Sequence, residues 1–327
     1  MKKKFIAIIV IALGVAVNCH KTFAQQSSLI PPDTNYIGGY SSKWSVRVFS
    51  ALKTNTFYLF HSNWNHRISF IPETKVAAGL GLSFRDLAID LGWDVYKSSV
   101  AQDQHTTGFN FIGSMYSNQN VVDVTFQINN GFTESADIEG KTVNIARNDI
   151  NVFNFGVNYN YLFNYRRFSF NSSFIGTKIQ KRSAGSPMIG GFFSNISITG
   201  KDSIIPLEFS SLFDPNQVTS QATVFSGGLT GGYAYTFVFP HHFMITLSLT
   251  PGITFSLGES QRDSLNLFQN LVVIAPKLVT RDAIGYAGKT IYAALSFGLD
   301  LNATILGDKN LLLYTPEKIK FVVGYRI

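Results

Sequence analysis

Residues 224–258, VFSGGLTGGYAYTFVFPHHFMITLSLTPGITFSLG, alternate large apolar with small uncharged side chains along two arms, either side of a break at Pro240, His241 and His242. On the first arm Phe225, Leu229, Tyr233, Tyr235, Phe237 and Phe239 share one parity, and Ser226, Thr230, Ala234 and Thr236 the other. The second arm sets Phe243, Ile245, Leu247, Leu249, Ile253, Phe255 and Leu257 against Thr246, Ser248, Thr250, Thr254 and Ser256. Successive strand side chains point to opposite faces, so a period of two predicts a β-hairpin and excludes a helix. Between Val224 and Gly258 there is no Asp, Glu, Lys or Arg, so neither face suits a wet surface. A tilted strand crosses a bilayer in about 9–11 residues, and each arm exceeds that, so the apolar face is expected in lipid and the small polar face in a crowded lumen. Pro251 lacks a ladder donor and predicts a bulge or the membrane boundary at that point.

The ends of the chain fit an exported protein. Lys2, Lys3 and Lys4 precede an apolar run from Phe5 to Val17 and a small-residue cleavage site after Ala24, the pattern of a signal peptide over residues 1–24. The one cysteine, Cys19, lies inside it behind Asn18, which is a poor lipidation context, so the mature chain offers neither a disulfide framework nor a thiolate metal site. Loss of Lys2, Lys3, Lys4 and Lys21 lowers Lys plus Arg from 27 to 23 against 20 Asp plus Glu. That balance is not the basic footprint of a nucleic-acid binder. Residues 25–42, with Pro31 and Pro32, read as an extended lead-in, and residues 43–327 as the folded body.

Further alternating segments fill that body. KVAAGLGLSF and DLAIDLGWDV flank a turn at Arg85 and Asp86; VVDVTFQIN, DINVFNFGVNYNYLFN, RFSFNSSFIGT, MIGGFFSNISI and KTIYAALSFGLDLN follow. The final segment, KIKFVVGYRI, alternates to the last residue, as closing strands of outer-membrane barrels do. Short turns interleaved with long gaps give the loop asymmetry of such a barrel. Aromatics near strand ends, among them Trp44 and Tyr325, suit interfacial girdles. The expected fold is all-β, a closed antiparallel transmembrane β-barrel of 12 to 14 strands with short periplasmic turns and longer outer loops. Counting every candidate as a strand leaves the turns on inconsistent sides. KIQKRSAGSPMIGGFFSNISI is therefore expected to hold an inward excursion or a broken strand.

As a set, DTNYI, FNYRRFSF, QKRSAGS with MIGGFFS, KDSIIP, GYAYTFVFPHHFMITLSLTPG, GYAGKTIYAALS and FVVGYRI resemble the domain of unknown function 4421 family of Bacteroidota-type outer-membrane barrels, over nearly all the mature chain. The resemblance implies a barrel in the outer membrane. It carries no established activity and hence no catalytic residue.

The candidate binding residues are Lys181, Arg182, Ser183 and Ser186, adjacent cations beside hydroxyls that could hold a phosphate or carboxylate of a small solute or lipopolysaccharide at the lumen mouth. The plainer reading is a solvated loop, or a plug pairing with Asp90, Asp94 or Asp123. His61 with His66, and His241 with His242, lack the spacing for a metal site. GGLTGG lacks the strand-to-helix context of a dinucleotide site, so no cofactor is expected. Expected partners are outer-membrane lipid and, through the C-terminal strand, the barrel-assembly machinery. Two functions remain open: a non-enzymatic narrow pore or structural and interaction protein of the envelope, and an outer-membrane enzyme acting on phospholipid or lipopolysaccharide.

Overall fold

The computed structural model describes residues 30–40, 44–60, 67–101, 103–138, 141–201, 203–205, 220–262, 265–306 and 310–327. The signal peptide expected over 1–24 lies outside them. In chain order the strands are β1 (Ile37–Gly39), β2 (Trp44–Phe60), β3 (Arg67–Ile71), β4 (Thr74–Phe84), β5 (Leu87–Ser98), β6 (Thr107–Tyr116), β7 (Asn120–Ile138), β8 (Lys141–Leu162), β9 (Lys178–Gln180), β10 (Ala184–Thr199), β11 (Gln221–Val238), β12 (Phe243–Arg262), β13 (Leu265–Ala287), β14 (Ile291–Leu306) and β15 (Asn310–Arg326), with one short helix, α1 (Phe170–Phe174).

Twelve antiparallel strands form a ring: β2, β4, β5, β6, β7, β8 and β10 through β15, closed where β15 pairs with β2 from Arg326↔Ser45 to Leu311↔Phe60. Closure leaves no free sheet edge at the joint, which is what allows strands to cross lipid at all. β3 is an insertion. It bridges the outer end of β2 (Phe57↔Phe70) to the outer end of β7 (Ile68↔Ala136), above β4, β5 and β6. The outer rim is therefore narrower than the periplasmic one.

The hairpin of β11 and β12 is oriented as its alternation demands. Phe225, Leu229, Tyr233, Phe237, Leu247, Leu249, Ile253 and Phe255 are exposed on the barrel exterior, while Ser226, Thr230, Thr236, Thr246, Thr254 and Ser256 are buried inside. Hydroxyls zip the inner face, with Ser226 to Ser256 at 2.9 Å and Thr236 to Thr246 at 2.7 Å. An exposed apolar belt on a closed barrel is a lipid-facing surface. Aromatics gather at its periplasmic border: Trp44 lies 4.4 Å from Phe84, and Phe243 lies 5.5 Å from Tyr286 between ring centroids.

Three expectations need correcting. RFSFNSSFIGT is not a strand: although Phe168, Phe170 and Phe174 share a parity, the segment folds into α1 and its flanks, and those rings pack on Tyr116 and Leu162 inside the periplasmic mouth. The excursion exists but occupies residues 163–183, whereas MIGGFFSNISI lies within the regular strand β10. Pro251 makes no bulge and marks no boundary. It sits between the exposed Leu249 and Ile253, in register with Leu278, and the only shift between β12 and β13 falls between Ser256 and Gly258. The ladder to β11 simply skips from Thr230↔Gly252 to Tyr233↔Leu249, leaving out the position where proline has no N–H to give.

Candidate functional site

The interior is closed at both ends. On the periplasmic side α1 enters the mouth on Asn171, which is fully buried. Its Nδ2 donates to the Arg85 carbonyl and to Asp86 Oδ1, both at 3.1 Å, and to the Tyr116 carbonyl at 3.4 Å. Its Oδ1 accepts from Thr177 Oγ1 at 2.8 Å and from the Lys178 N–H at 3.0 Å. Ser173 shares a 2.6 Å hydrogen bond with Thr246 on the barrel wall, and Arg326 Nε donates to the Gly176 carbonyl at 2.7 Å. β9 then pairs with β1 of the lead-in, which fastens the N-terminal segment beneath the barrel. Tyr40 ends that segment, its hydroxyl 3.2 Å from the Ala287 carbonyl and its ring 3.7 Å from the Arg326 guanidinium. Burial raises the Tyr40 hydroxyl above its ordinary range, so it remains a neutral donor.

At the outer side the inward positions of the long strands are apolar and meet across the barrel. Phe57 stacks on Phe70 at 4.3 Å, Phe132 meets Phe57 edge-on at 5.5 Å, and Ile150, Ile198, Ile204, Ile205 and Leu312 complete this core. Residues 203–205 are held down by Arg147, whose Nη2 donates to the Ser203 carbonyl at 2.6 Å and whose Nη1 reaches Glu134 at 2.9 Å. Arg147 also grips Asp149 through two hydrogen bonds of 2.9 and 3.0 Å. That hydrogen bonding holds the Asp149 carboxyl below its usual range.

Between the two closures lies a polar chamber of about 150 Å³. Its walls carry paired charges. Asp90 bridges Arg47, at 2.8 Å, and Lys320. Lys277 bonds Asp300, which also accepts from Asn158 at 2.9 Å. Asp123 accepts from Ser114 at 2.6 Å and from Tyr116 at 2.9 Å, with Arg281 at 3.5 Å. Above them an amide chain runs from Asn154 to Gln127 (2.8 Å), Gln127 to Asn55 (3.0 Å) and Asn55 to Asn110 (3.2 Å).

One arrangement follows only from register. Lys318 of β15 pairs with Lys53 of β2, Lys53 with Lys75 of β4, and Lys75 with Lys97 of β5, so four lysines stand in line across four neighbouring strands.

The four residues singled out in the sequence stand at the periplasmic rim. Lys181 Nζ donates to the Thr34 carbonyl at 2.9 Å, and the Arg182 guanidinium lies 5.9 Å from the Tyr36 ring centroid. Ser183 Oγ accepts from the Val238 N–H at 2.8 Å. Ser186 is fully buried and accepts from the Asn164 N–H at 2.9 Å. Asp90 and Asp123, weighed as partners for that loop, are matched instead by wall residues. His241 and His242 are exposed in the β11–β12 turn; His61 and His66 lie outside the described residues.

The family described as a domain of unknown function (DUF4421) matches residues 31–326. The chain belongs to that family. No curated protein matches this DUF4421 chain. Among solved structures it is similar to the outer membrane protease OmpT from Escherichia coli, at 6% identity over 88% of this chain and 98% of that one, with a TM-score of 0.38. It is also similar to the beta domain of the Bordetella autotransporter BrkA, at 11% identity over 89% of this chain and 100% of that one, with a TM-score of 0.37. The outer membrane protein OprG from Pseudomonas aeruginosa gives 11% identity, 89% and 98% coverage and a TM-score of 0.26.

Proposed function

We propose that this DUF4421 protein is a non-enzymatic outer-membrane barrel that works as a sealed binding and interaction protein of the envelope, not as a diffusion pore. The observation that carries this reading is double closure: α1 fills the periplasmic mouth and the Phe57, Phe70 and Phe132 core fills the outer one, with charged side chains paired between them. A through-pore needs a continuous wet path, and an apolar core packed like a protein interior excludes one. The apolar belt and its aromatic border support residence in the outer membrane.

Planar-bilayer recordings of the purified protein test the reading. A flat baseline is expected, and steady single-channel steps would overturn it. The enzyme alternative has its own assay. Turnover of phospholipid or lipid A that is abolished by Ser183→Ala would replace the binding reading with a hydrolase, whereas no turnover is expected. In cell fractions the chain should migrate in a heat-modifiable way and appear with the outer membrane.

A further inference from the structure

At the periplasmic rim Arg166, Arg167, Lys181 and Arg182 are all exposed, and all four lie where the chain leaves the wall after Leu162 and rejoins it at Ala184. The lead-in gathers them. Its Tyr36 ring has the Arg167 guanidinium at 5.1 Å and the Arg182 guanidinium at 5.9 Å, Lys181 Nζ donates to the Thr34 carbonyl at 2.9 Å, and the Arg166 carbonyl accepts from the Asp33 N–H at 2.8 Å. Among the described residues none of the four forms an ion pair, and no guanidinium N–H of the three arginines is hydrogen-bonded. Two carboxylates stand at this end of the excursion. Asp86 pairs with Lys178 at 2.7 Å, and Asp33 Oδ1 accepts from the Asn35 N–H at 2.9 Å. Four cations against Asp33 leave the sector with an excess of three positive charges.

The wall beside this cluster presents aromatic side chains to lipid. Ser183 Oγ accepts from the Val238 N–H at 2.8 Å, which ties the foot of β10 to the end of β11. Around that joint Phe163, Pro187, Ile189, Tyr233 and Phe237 are exposed on the exterior. Tyr233 is in register with Pro187, yet it leans toward the rim: a Cβ at Gly185 would meet the Tyr233 hydroxyl at 2.5 Å and Tyr235 Cδ2 at 2.6 Å. Glycine at 185 thus lets the hydroxyl lie one outward position closer to the periplasm than its own Cα. A tyrosine with its ring in hydrocarbon and its hydroxyl turned to the border marks the headgroup level of a bilayer. Arg182 stands three residues beyond Gly185, on the periplasmic side of that level.

We propose that the rim between β8 and β11 is a binding site for an anionic phospholipid of the periplasmic leaflet: the Arg167 and Arg182 guanidinium groups take the phosphate, and the acyl chains run up the wall along Ile189, Tyr233 and Leu229. A guanidinium stacked on an aromatic face keeps its N–H edge free, and that edge matches phosphate oxygens in a fork. The excess positive charge selects a net negative headgroup over a zwitterionic one. Ser183 and Ser186 take no part, since their hydroxyls are engaged by the Val238 and Asn164 N–H groups. The site rests on the membrane placement proposed above and not on closure of the lumen, so gel mobility tests the placement, conductance the closure, and lipid selectivity the site alone.

A single reporter can be set beside the sector. The chain has three tryptophans, and the full chain carrying Trp44→Phe, Trp64→Phe, Trp93→Phe and Phe237→Trp is reconstituted in phosphatidylcholine nanodiscs with a minority of acyl-brominated phosphatidylglycerol, and in matched discs with the same minority of brominated phosphatidylcholine. Quenching at position 237 should report about fivefold enrichment of the anionic lipid, the ratio expected of roughly one net headgroup–cation contact. Arg167→Gln with Arg182→Gln should bring the ratio to about one, and Arg182→Gln alone to an intermediate value, while heat-modifiable migration confirms a folded barrel. Arg85→Gln, in the exposed β4–β5 turn elsewhere on the rim, should leave the fivefold ratio in place. Equal quenching by the two lipids, a ratio indifferent to the double substitution, or an equal loss with Arg85→Gln would overturn the proposal. Soluble poly-glutamate tests the other occupant: its capture in pure phosphatidylcholine discs through Arg167 and Arg182, with no lipid enrichment, would give the face to an acidic periplasmic polymer and refute the lipid site.

Discussion

Replacing Asn171 by alanine should free the periplasmic plug while leaving the barrel intact. Asn171 has two amide hydrogens and a carbonyl with two lone pairs, so at most about four of its contacts can be fully formed at once. The structure supplies acceptors at Arg85, Asp86 and Tyr116 and donors at Thr177 and Lys178, enough to saturate all four. At about 1 kcal/mol net for each buried hydrogen bond, the loss is about 4 kcal/mol, or roughly a thousandfold in the population of the undocked plug. The cost falls on local docking because the ring of strands does not pass through residues 163–183. Arg166, Arg167, Lys178, Lys181 and Arg182 make the segment a dense trypsin target. When opening is fast relative to cleavage, nicking follows the open population, so Asn171→Ala should be cut faster by a factor approaching that estimate while its unboiled gel mobility stays that of a folded barrel. A nicking rate within about twofold of the parent would mean that the Phe168, Phe170 and Phe174 packing, not the asparagine hub, holds the plug, and the reasoning would fail.

Three further outcomes can be measured. Neither Asn171→Ala nor Phe70→Ala alone should conduct in planar bilayers, because each leaves one closure in place, whereas the double variant should give single-channel steps; truncating a fully buried phenylalanine also costs about 3–5 kcal/mol, readable as a lowered guanidinium midpoint. Asp90→Asn strips Arg47 and Lys320 of their shared carboxylate and should destabilise the barrel by about 3 kcal/mol in the same titration, since breaking a buried pair strands the remaining charge. Asp149 has a folded pKa below its unfolded value, so its contribution is present above about pH 4 and disappears as pH falls through the depressed value. Because that carboxylate is partly exposed the effect should stay below about 1 kcal/mol, and faster amide exchange at Lys201, whose N–H bonds Asp149 Oδ2 at 3.1 Å, should report it at acid pH.

The wall was legible because lipid outside and a crowded lumen inside force an alternation, and the residues of β11, of β12 from Phe243 to Leu257 and of β15 from Ile319 to Arg326 follow it. The plug was not legible. Phe168, Phe170, Ser172 and Phe174 alternate like a strand, and only the buried pocket around Tyr116 and Leu162 turns them into a helical turn, a tertiary choice that local pattern does not record. The lysine row was hidden for another reason. Lys75 and Lys320 each stand at a lumen-facing parity in the sequence, but that Lys318, Lys53, Lys75 and Lys97 form one line depends on register and on ring closure. The QKRSAGS loop drew attention by its charge, and its cations are engaged with the lead-in through the Thr34 carbonyl and the Tyr36 ring.

The inserted strand β3 also bears on how the protein is assembled. By joining β2 to β7 it completes a small cycle of strands from residues 44–138, far nearer in sequence than the β15–β2 joint that ends the ring. Contacts of short sequence separation cost less chain entropy and form earlier than distant ones. During biogenesis the N-terminal third of the wall can therefore form as one unit before the last strand arrives to close the barrel. The short β5–β6 ladder, two pairs among the described residues, belongs to that unit and not to the β15–β2 joint.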